Sequence, residues 1–310
     1  MAMKDNNLMT FPENIYKLKL SQVVKLNSLA FIVFFTALFL NFPFKRLITS
    51  YVDEALLTNR KCPMTYQELN LKMFPPKAVI SNINIDGKCF NGKDGVVFKN
   101  LTAGLGLPSF SPFGPTININ AKSAGTNLSM DVVPGISSTL VRLDKSKIDS
   151  DLINAIIGQG KILNGFFEGN ALVKMEQNKL VDGNILLKSN NLAVKNATVA
   201  NFQLPGMNIG NFLLKAKIND KVINLENFII GRDTPEAPIN AQFKGVIRTN
   251  PISFQASTYD LDGQFRFGPS FLAEMSIIDL FLPKEKQDET GYYKVKLQGQ
   301  ISNPKKPEFK

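Results

Sequence analysis

Two short acidic clusters are the residues best suited to chemistry in this sequence. Asp260-Leu261-Asp262-Gly263 resembles the start of a calcium loop. An EF-hand needs a further acidic or Asn position and a later Glu, and both are missing, so a hairpin turn is favoured. Asp149 and Asp151 are spaced like a carboxylate pair, but they begin an apolar helical pattern, where negative charge stabilises the first turn. Neither cluster predicts a metal site or a catalytic site.

The remaining reactive residues are two cysteines, Cys62 and Cys89, because the chain has no histidine. Histidine is the commonest general base and metal ligand, and no serine stands in a nucleophile-elbow sequence. The glycines between residues 158 and 169 lack the Lys-Ser/Thr that ends a phosphate-binding loop. We therefore predict no enzyme activity, no metal and no cofactor. The cysteines are expected to form a disulfide in an oxidising compartment, or otherwise to be two buried thiols.

The net charge of +10 comes from lysines scattered along the whole chain. No basic cluster is interleaved with stacking aromatic residues, as nucleic-acid binding would require. A solvated basic surface close to anionic lipid is the favoured interpretation.

One apolar segment, residues 28–44, predicts a membrane anchor of about 25 Å at the rise of an α-helix. Lys25 and Lys45 flank it and can extend to the headgroups. A cleaved signal peptide is disfavoured because bulky residues follow the apolar run, and a buried core helix because almost no polar side chain interrupts it. The residues assigned to the anchor are Leu29, Phe31, Ile32, Phe34, Phe35, Leu38, Phe39 and Leu40.

The anchor divides the chain into four predicted parts. Residues 1–27 form a cytoplasmic tail, and residues 28–44 form the anchor. Residues 45–61 have apolar positions three and four apart, which predicts an amphipathic helix that lies on the bilayer or caps the next domain. Residues 62–310 form a β-rich domain. Flanking lysines are nearly balanced, so the cytoplasmic N-terminus rests on the shortness of the preceding segment.

Beyond Pro63 the apolar residues alternate with polar ones, as in strands of an antiparallel sheet with one apolar face. Asp182-Gly183 and Asn219-Asp220 are predicted hairpin turns. Two amphipathic helices are predicted at 146–157 and 269–282, and a final strand at 292–301. The fold class is therefore mainly β: a single elongated antiparallel sheet domain after one transmembrane helix, with a few short helices.

Several strings, in their order and spacing, resemble the type II secretion system protein N family in its spirochaete and delta-proteobacterial form. They are FPFKRL after the anchor, FPP at 74–76, NILLKSNNL at 184–192, FQLPGMNIGN at 202–211 with FLLKAK following, and GQISNP at 299–304. The resemblance implies a bacterial inner-membrane protein whose C-terminal domain lies in the periplasm. It also implies an AsmA-like curved sheet and no catalytic residues.

Two functions follow from that resemblance. The first is a non-enzymatic accessory component of the secretion system that works through contacts with other secretion proteins, beside inner-membrane lipid. The second is a lipid-binding or lipid-transfer module, whose apolar groove is supplied by strands between Ile162 and Ile247. An open apolar face would favour lipid, whereas burial of that face under the two short helices would favour the structural component.

Overall fold

The computed structural model describes residues 20–41, 44–57, 62–72, 75–90, 95–157, 160–177, 179–199, 202–250, 253 and 256–310. These residues fall into two compact units. The first ends at Val52, and the second begins at Asp53.

Helix α1 (Leu20–Asn41) carries the apolar segment, and helix α2 spans Phe44–Leu57. Large apolar side chains of α1 are 48–63% exposed from Leu29 to Phe35, on every side of the helix. Nowhere in the described ranges is a helix long and apolar enough to cross a membrane. The predicted spanning anchor at 28–44 therefore has no support there. Residues 42–43 and the side chains of Leu38, Phe39 and Leu40 lie outside the described part.

The second unit is built on an antiparallel sheet, in agreement with the mainly β prediction. Its strands are β1 (Met64–Thr65), β2 (Glu68–Lys72), β3 (Lys77–Ile85), β4 (Val96–Leu105), β5 (Ser109–Phe110), β6 (Phe113–Gly114), β7 (Ile117–Lys122), β8 (Asn127–Pro134), β9 (Thr139–Asp149), β10 (Leu163–Asn164), β11 (Phe166–Glu176), β12 (Lys179–Val194), β13 (Ala197–Val199), β14 (Phe202–Leu204), β15 (Met207–Asn219), β16 (Val222–Ile230), β17 (Ile239–Arg248), β18 (Thr258–Phe267), β19 (Tyr293–Gln300), β20 (Asn303–Pro304) and β21 (Glu308–Phe309).

The topology is a meander, because each long strand pairs with the next long strand in the chain. The order runs from β1 and β2 through β3, β4, β7, β8, β9, β11, β12, β15, β16, β17 and β18 to β19. Among the described residues, 17 strands belong to this sheet. Two small hairpins stand apart from it, β5–β6 and β13–β14. Antiparallel pairing allows short turns, and such turns join β7 to β8, β8 to β9, β11 to β12 and β15 to β16.

Of the two predicted hairpin turns, one is confirmed and the other is wrong. The turn predicted at Asn219-Asp220 is present between β15 and β16 and is formed by Asp220 and Lys221, at positive φ of 40° and 66°. Asp182-Gly183, in contrast, lies inside β12, where Gly183 permits close approach to the carbonyl oxygen of Leu172. The sequence Asp260–Gly263 also lies inside a strand, β18, and is not a hairpin turn.

The predicted helices are shorter than expected. Helix α3 begins at Ser150 rather than Ser146 and ends at Ile157, because Ser146 pairs with Gly169 in the sheet. The Asp149 carboxylate accepts a hydrogen bond from the Asp151 N–H at 2.8 Å, as expected for a helix cap. The helix predicted at 269–282 is two pieces, α4 (Pro269–Glu274) and α5 (Ser276–Asp279), followed by a 3-10 turn at Lys284–Lys286.

Candidate apolar binding face

One face of the sheet is apolar from strand to strand. A cross-strand row, here called the first apolar row, has one residue on each strand, and each member is the direct register partner of the next. Its members are Leu105, Ile117, Val132, Val141, Val173, Gly183, Ile218, Ile223, Ile247, Tyr259 and Gly299. Directly paired side chains point to the same side of a sheet. The row therefore forms a continuous apolar band without a charged residue.

A second apolar row lies on the same face. Its members are Gly169, Leu187, Leu214, Phe228, Phe243, Gly263, Val295 and Phe309. Aromatic contacts run beside and along it, with ring centroids 5.4 Å apart for Phe167 and Phe212 and 5.7 Å apart for Phe212 and Phe228. Perpendicular ring pairs of this kind add to the stabilisation from buried area.

The opposite face is polar. The residues next in sequence to those of the first apolar row point to this face, and they form a cross-strand row of their own, here called the polar row. The polar row consists of Asn118, Asp131, Arg142, Leu172, Asn184, Lys217, Asn224, Val246, Asp260 and Gln298. A slip of one residue in any strand would exchange the two faces, so this contrast specifies the register.

Ion pairs on the polar face connect adjacent strands. Glu226 lies between Lys215 and Lys217, with N–O distances of 2.8 and 3.0 Å, and these two ammonium groups hold the pKa of the Glu226 carboxyl below its usual value. The Asp262 carboxyl likewise has a lowered pKa, chiefly because Lys310 donates a hydrogen bond to it. Exposed pairs of this kind add little stability, and they keep this face solvated.

The apolar face retains access to solvent over much of its area. Its central side chains, including Val173, Leu214, Phe228 and Leu261, are only partly buried. A cluster of buried residues, Ile148, Phe167, Leu192 and Ile209, lies near one end of the strands, and Ile218 and Val295 of the two rows are also buried. Apolar side chains half-exposed along many strands are a surface that a nonpolar ligand or partner would cover.

The short helices cover only the end of the face. Leu152 and Ile153 of α3 pack on the buried cluster, and Asn154 holds α3 to β10 by exchanging two hydrogen bonds of 2.8 Å with the backbone of Leu163. Phe271 of α4 stacks on Phe267 with centroids 5.0 Å apart. Burial of the whole face under these helices would favour the structural component, but at their positions the helices leave much of the two apolar rows uncovered.

The residues singled out in the sequence fall at different places. Cys62 and Cys89 are joined by a disulfide, whose Cα atoms are 4.4 Å apart. It links the start of the second unit to the end of β3. Leu29, Phe31, Ile32, Phe34 and Phe35 are exposed on α1. No group of three His, Cys, Asp or Glu side chains among the described residues is placed to hold a metal ion.

The alternation within each strand predicts that one face of the sheet is apolar. It does not predict which residues of different strands lie side by side on that face. Phe243 and Gly263, for example, belong to separate runs of the sequence. Only the register places the Phe243 ring over Gly263. Gly183 and Gly263 are predicted turn residues in the sequence, and both lie in strands where a neighbouring strand or ring comes close.

Comparison with known proteins adds no relative. No protein-family model matches the chain, and neither a curated protein nor a solved structure matches it. The resemblance to the secretion protein N family remains a prediction.

Proposed function

We propose that this protein binds the acyl chains of lipid along the apolar face of its sheet, without catalysing a reaction. The observation that carries the proposal is the pair of apolar rows, which cross the sheet without a charge and remain partly exposed. Acyl chains need such a nonpolar surface and no specific polar partner. The AsmA-like character implied by the family resemblance supports the same ligand class.

The proposal includes attachment to the bacterial inner membrane, with the sheet on the periplasmic side. The exposed apolar side chains around α1 support attachment, because contiguous exposed apolar surface is unfavourable in water. The Cys62–Cys89 disulfide supports an oxidising compartment. Alkaline extraction tests attachment: the chain is expected to stay in the membrane pellet, and a Phe31→Lys/Phe34→Lys variant to be released.

A second candidate is an accessory role in type II secretion, in which a secretion protein covers the same face. It is supported by the family resemblance and by the partial exposure of the apolar rows. The two candidates differ in what occupies the face, which makes them separable by one measurement.

Native mass spectrometry of the detergent-extracted full chain tests the ligand. Stoichiometric phospholipid is expected on the natural protein. Val173→Gln/Leu214→Gln places amides on the apolar face and is expected to weaken lipid binding by at least tenfold, since each buried apolar side chain contributes roughly 1.5–3 kcal/mol and about 1.4 kcal/mol is a factor of ten. The matched control is Leu172→Gln/Leu213→Gln, which changes the preceding residues of the same strands on the polar face.

The outcomes of this experiment are distinct. Retained phospholipid in the control and its loss in the apolar-face variant would support lipid binding. Equal retention in both variants would contradict it, as would a natural protein that carries no lipid. Secretion subunits that co-purify without lipid would favour the second candidate.

A further inference from the structure

Four large apolar side chains protrude at one edge of the sheet. They belong to neither apolar row, and they lie at the edge opposite to the one that α3 covers. Leu107, Phe110, Phe113 and Ile136 are 88%, 86%, 71% and 101% exposed. Three of them belong to the connection between β4 and β7, and Ile136 lies in the turn between β8 and β9. We call these four residues the apolar tip.

The apolar tip is a single surface, because its two loops touch. Phe110 and Phe113 are direct register partners across the two-residue turn of the β5–β6 hairpin, so their rings project to the same side. At Gly135 a Cβ would come within 2.8 Å of Pro112, and at Gly114 within 2.5 Å of the carbonyl oxygen of Pro134. The missing side chains therefore allow the hairpin to pack against the turn that carries Ile136.

The edge that carries the tip is basic. Five further connections between strands lie at this edge, because the strands on either side of each connection are paired up to it. The pairs that close them are Lys72 with Lys77, Pro134 with Thr139, Glu176 with Lys179, Asn219 with Val222, and Arg248 with Thr258. The charged residues described in these connections are Lys72, Lys77, Lys179, Lys221 and Arg248 against Glu176 and Asp220. Glu176 is moreover paired with Lys174, at 2.8 Å.

We propose that the apolar tip inserts into the interface of a bilayer that contains anionic lipid. Protruding Leu, Ile and Phe side chains enter the boundary between headgroups and acyl chains, and the surrounding lysines meet the anionic headgroups. A convex tip fits a deformable bilayer, whereas a stable protein interface needs complementary, well-packed area. Strand β1 pairs with Asn84 and Ile85, at the other end of β3, so the tip lies at the sheet edge opposite to the one where the chain enters.

This contact goes beyond the proposed function and involves other residues, so its failure would leave lipid binding on the apolar rows untouched. The chain has no tryptophan, which makes a single introduced tryptophan a specific reporter. Phe110→Trp places the reporter in the tip. Phe281→Trp is the matched control, because Phe281 is 75% exposed and follows α5 at the opposite edge.

The experiment uses the full chain, incorporated into nanodiscs of unbrominated zwitterionic lipid. Vesicles with brominated acyl chains are then added, either with phosphatidylglycerol or with phosphatidylcholine alone. The emission of the Phe110→Trp variant is expected to shift to shorter wavelength and to be quenched by the anionic vesicles, while the emission of the Phe281→Trp control is unchanged. Adding Phe113→Ser/Ile136→Ser to the Phe110→Trp reporter is expected to weaken vesicle binding about tenfold or more, because apolar insertion is lost. Adding Lys179→Glu/Lys221→Glu is expected to weaken vesicle binding at low salt, where charges are little screened.

Three results would overturn the proposal. The first is an unchanged emission spectrum with anionic vesicles. The second is equal quenching by zwitterionic vesicles, which would remove the role of the basic edge. The third is an emission shift that depends on protein concentration without vesicles, which would identify a second copy of the chain as the occupant.

Discussion

The phenyl ring of Phe243 lies against the backbone of Gly263, its direct partner on the neighbouring strand. A Cβ on Gly263 would come within 2.2 Å of the Phe243 Cδ1 atom and within 2.3 Å of the Gln242 carbonyl oxygen. The glycine thus gives the ring its place in the second apolar row. It also keeps β17 and β18 at ladder distance beneath that ring.

Gly263→Ala is expected to destabilise the second unit by about 1–3 kcal/mol, as overpacking in a close-packed region does. Moving the Phe243 ring relieves only one of the two collisions, because the Gln242 oxygen belongs to the backbone. Chemical denaturation followed by circular dichroism measures the change. Gly104→Ala in β4 is the control: its Cβ would meet atoms no closer than 3.5 Å, and its stability is expected to be close to that of the natural protein. Equal stability of the two variants would contradict the argument.

Asn154 gives a second prediction, about the attachment of helix α3. Its buried amide both donates to and accepts from the Leu163 backbone, so Asn154→Ala leaves two backbone groups without their partner. We expect a loss of about 2–6 kcal/mol, from roughly 1–3 kcal/mol for each unsatisfied group. Hydrogen exchange should become faster at the Leu163 amide.

Asn154→Asp is the informative companion variant. It keeps the acceptor for the Leu163 N–H and loses the donor, so exchange at that amide should stay slower than in Asn154→Ala. If the Leu163 amide exchanges at the same rate in the natural protein and both variants, the bond does not hold α3 in place.

Local alternation was enough to predict the sheet. Runs such as Leu128–Val132 and Tyr293–Leu297 alternate strictly, and both are strands with the expected apolar side. The predicted turn at Asp182-Gly183 was wrong because a turn dipeptide and a strand glycine look alike in the sequence. What distinguishes Gly183 is its neighbour on the adjacent strand: a Cβ there would come within 2.4 Å of the Leu172 carbonyl oxygen. The sequence alone does not give the register that brings these two residues together.

The apolar rows were beyond prediction for the same reason. Tyr259 and Ile223 are separated by a strand, and only the register at Ile247 joins them into one row. The apolar tip was missed because Phe110 and Phe113 lie in a Pro-rich connection with no alternation. Exposure, which the sequence does not contain, identifies them.

The disulfide gives a third prediction. Cys62 and Cys89 are 27 positions apart and enclose β1 to β3, the first strands of the sheet. Cross-linking a loop of this length removes about 3–4 kcal/mol of chain entropy from the unfolded state in the loop-closure treatment. Cys62→Ser/Cys89→Ser should therefore lower the free energy of unfolding by about 2–4 kcal/mol and speed hydrogen exchange in β2 and β3.

Reduction supplies the control for that prediction. Dithiothreitol should reproduce the loss in the natural protein and have no further effect on the double variant. An unchanged unfolding midpoint on reduction, with both thiols shown to be free by labelling, would mean that the bond contributes no stability.

Tyr292 gives the last prediction, about pH. The phenol is buried and donates a hydrogen bond of 2.7 Å to the Asp233 carboxylate, and the Arg266 guanidinium lies 4.6 Å from the ring centroid. Burial first, and then Asp233, raise the pKa of Tyr292 to about 12 despite the nearby Arg266. Its ordinary value is about 10, so the folded protein holds the phenolic proton more tightly than the unfolded chain does.

The sign of the pH effect follows. The contribution of Tyr292 to stability is complete below about pH 10 and is lost as the pH rises from there through the folded pKa of about 12. Ultraviolet titration of tyrosinate in the natural protein and in Tyr292→Phe measures this group by difference. The difference is needed because a hydrogen bond to Asp53 also raises the pKa of Tyr66 to about 12. Asp233→Asn should lower the pKa of Tyr292 only in part, because burial remains. A transition near pH 10 that disappears in Tyr292→Phe would contradict the assignment.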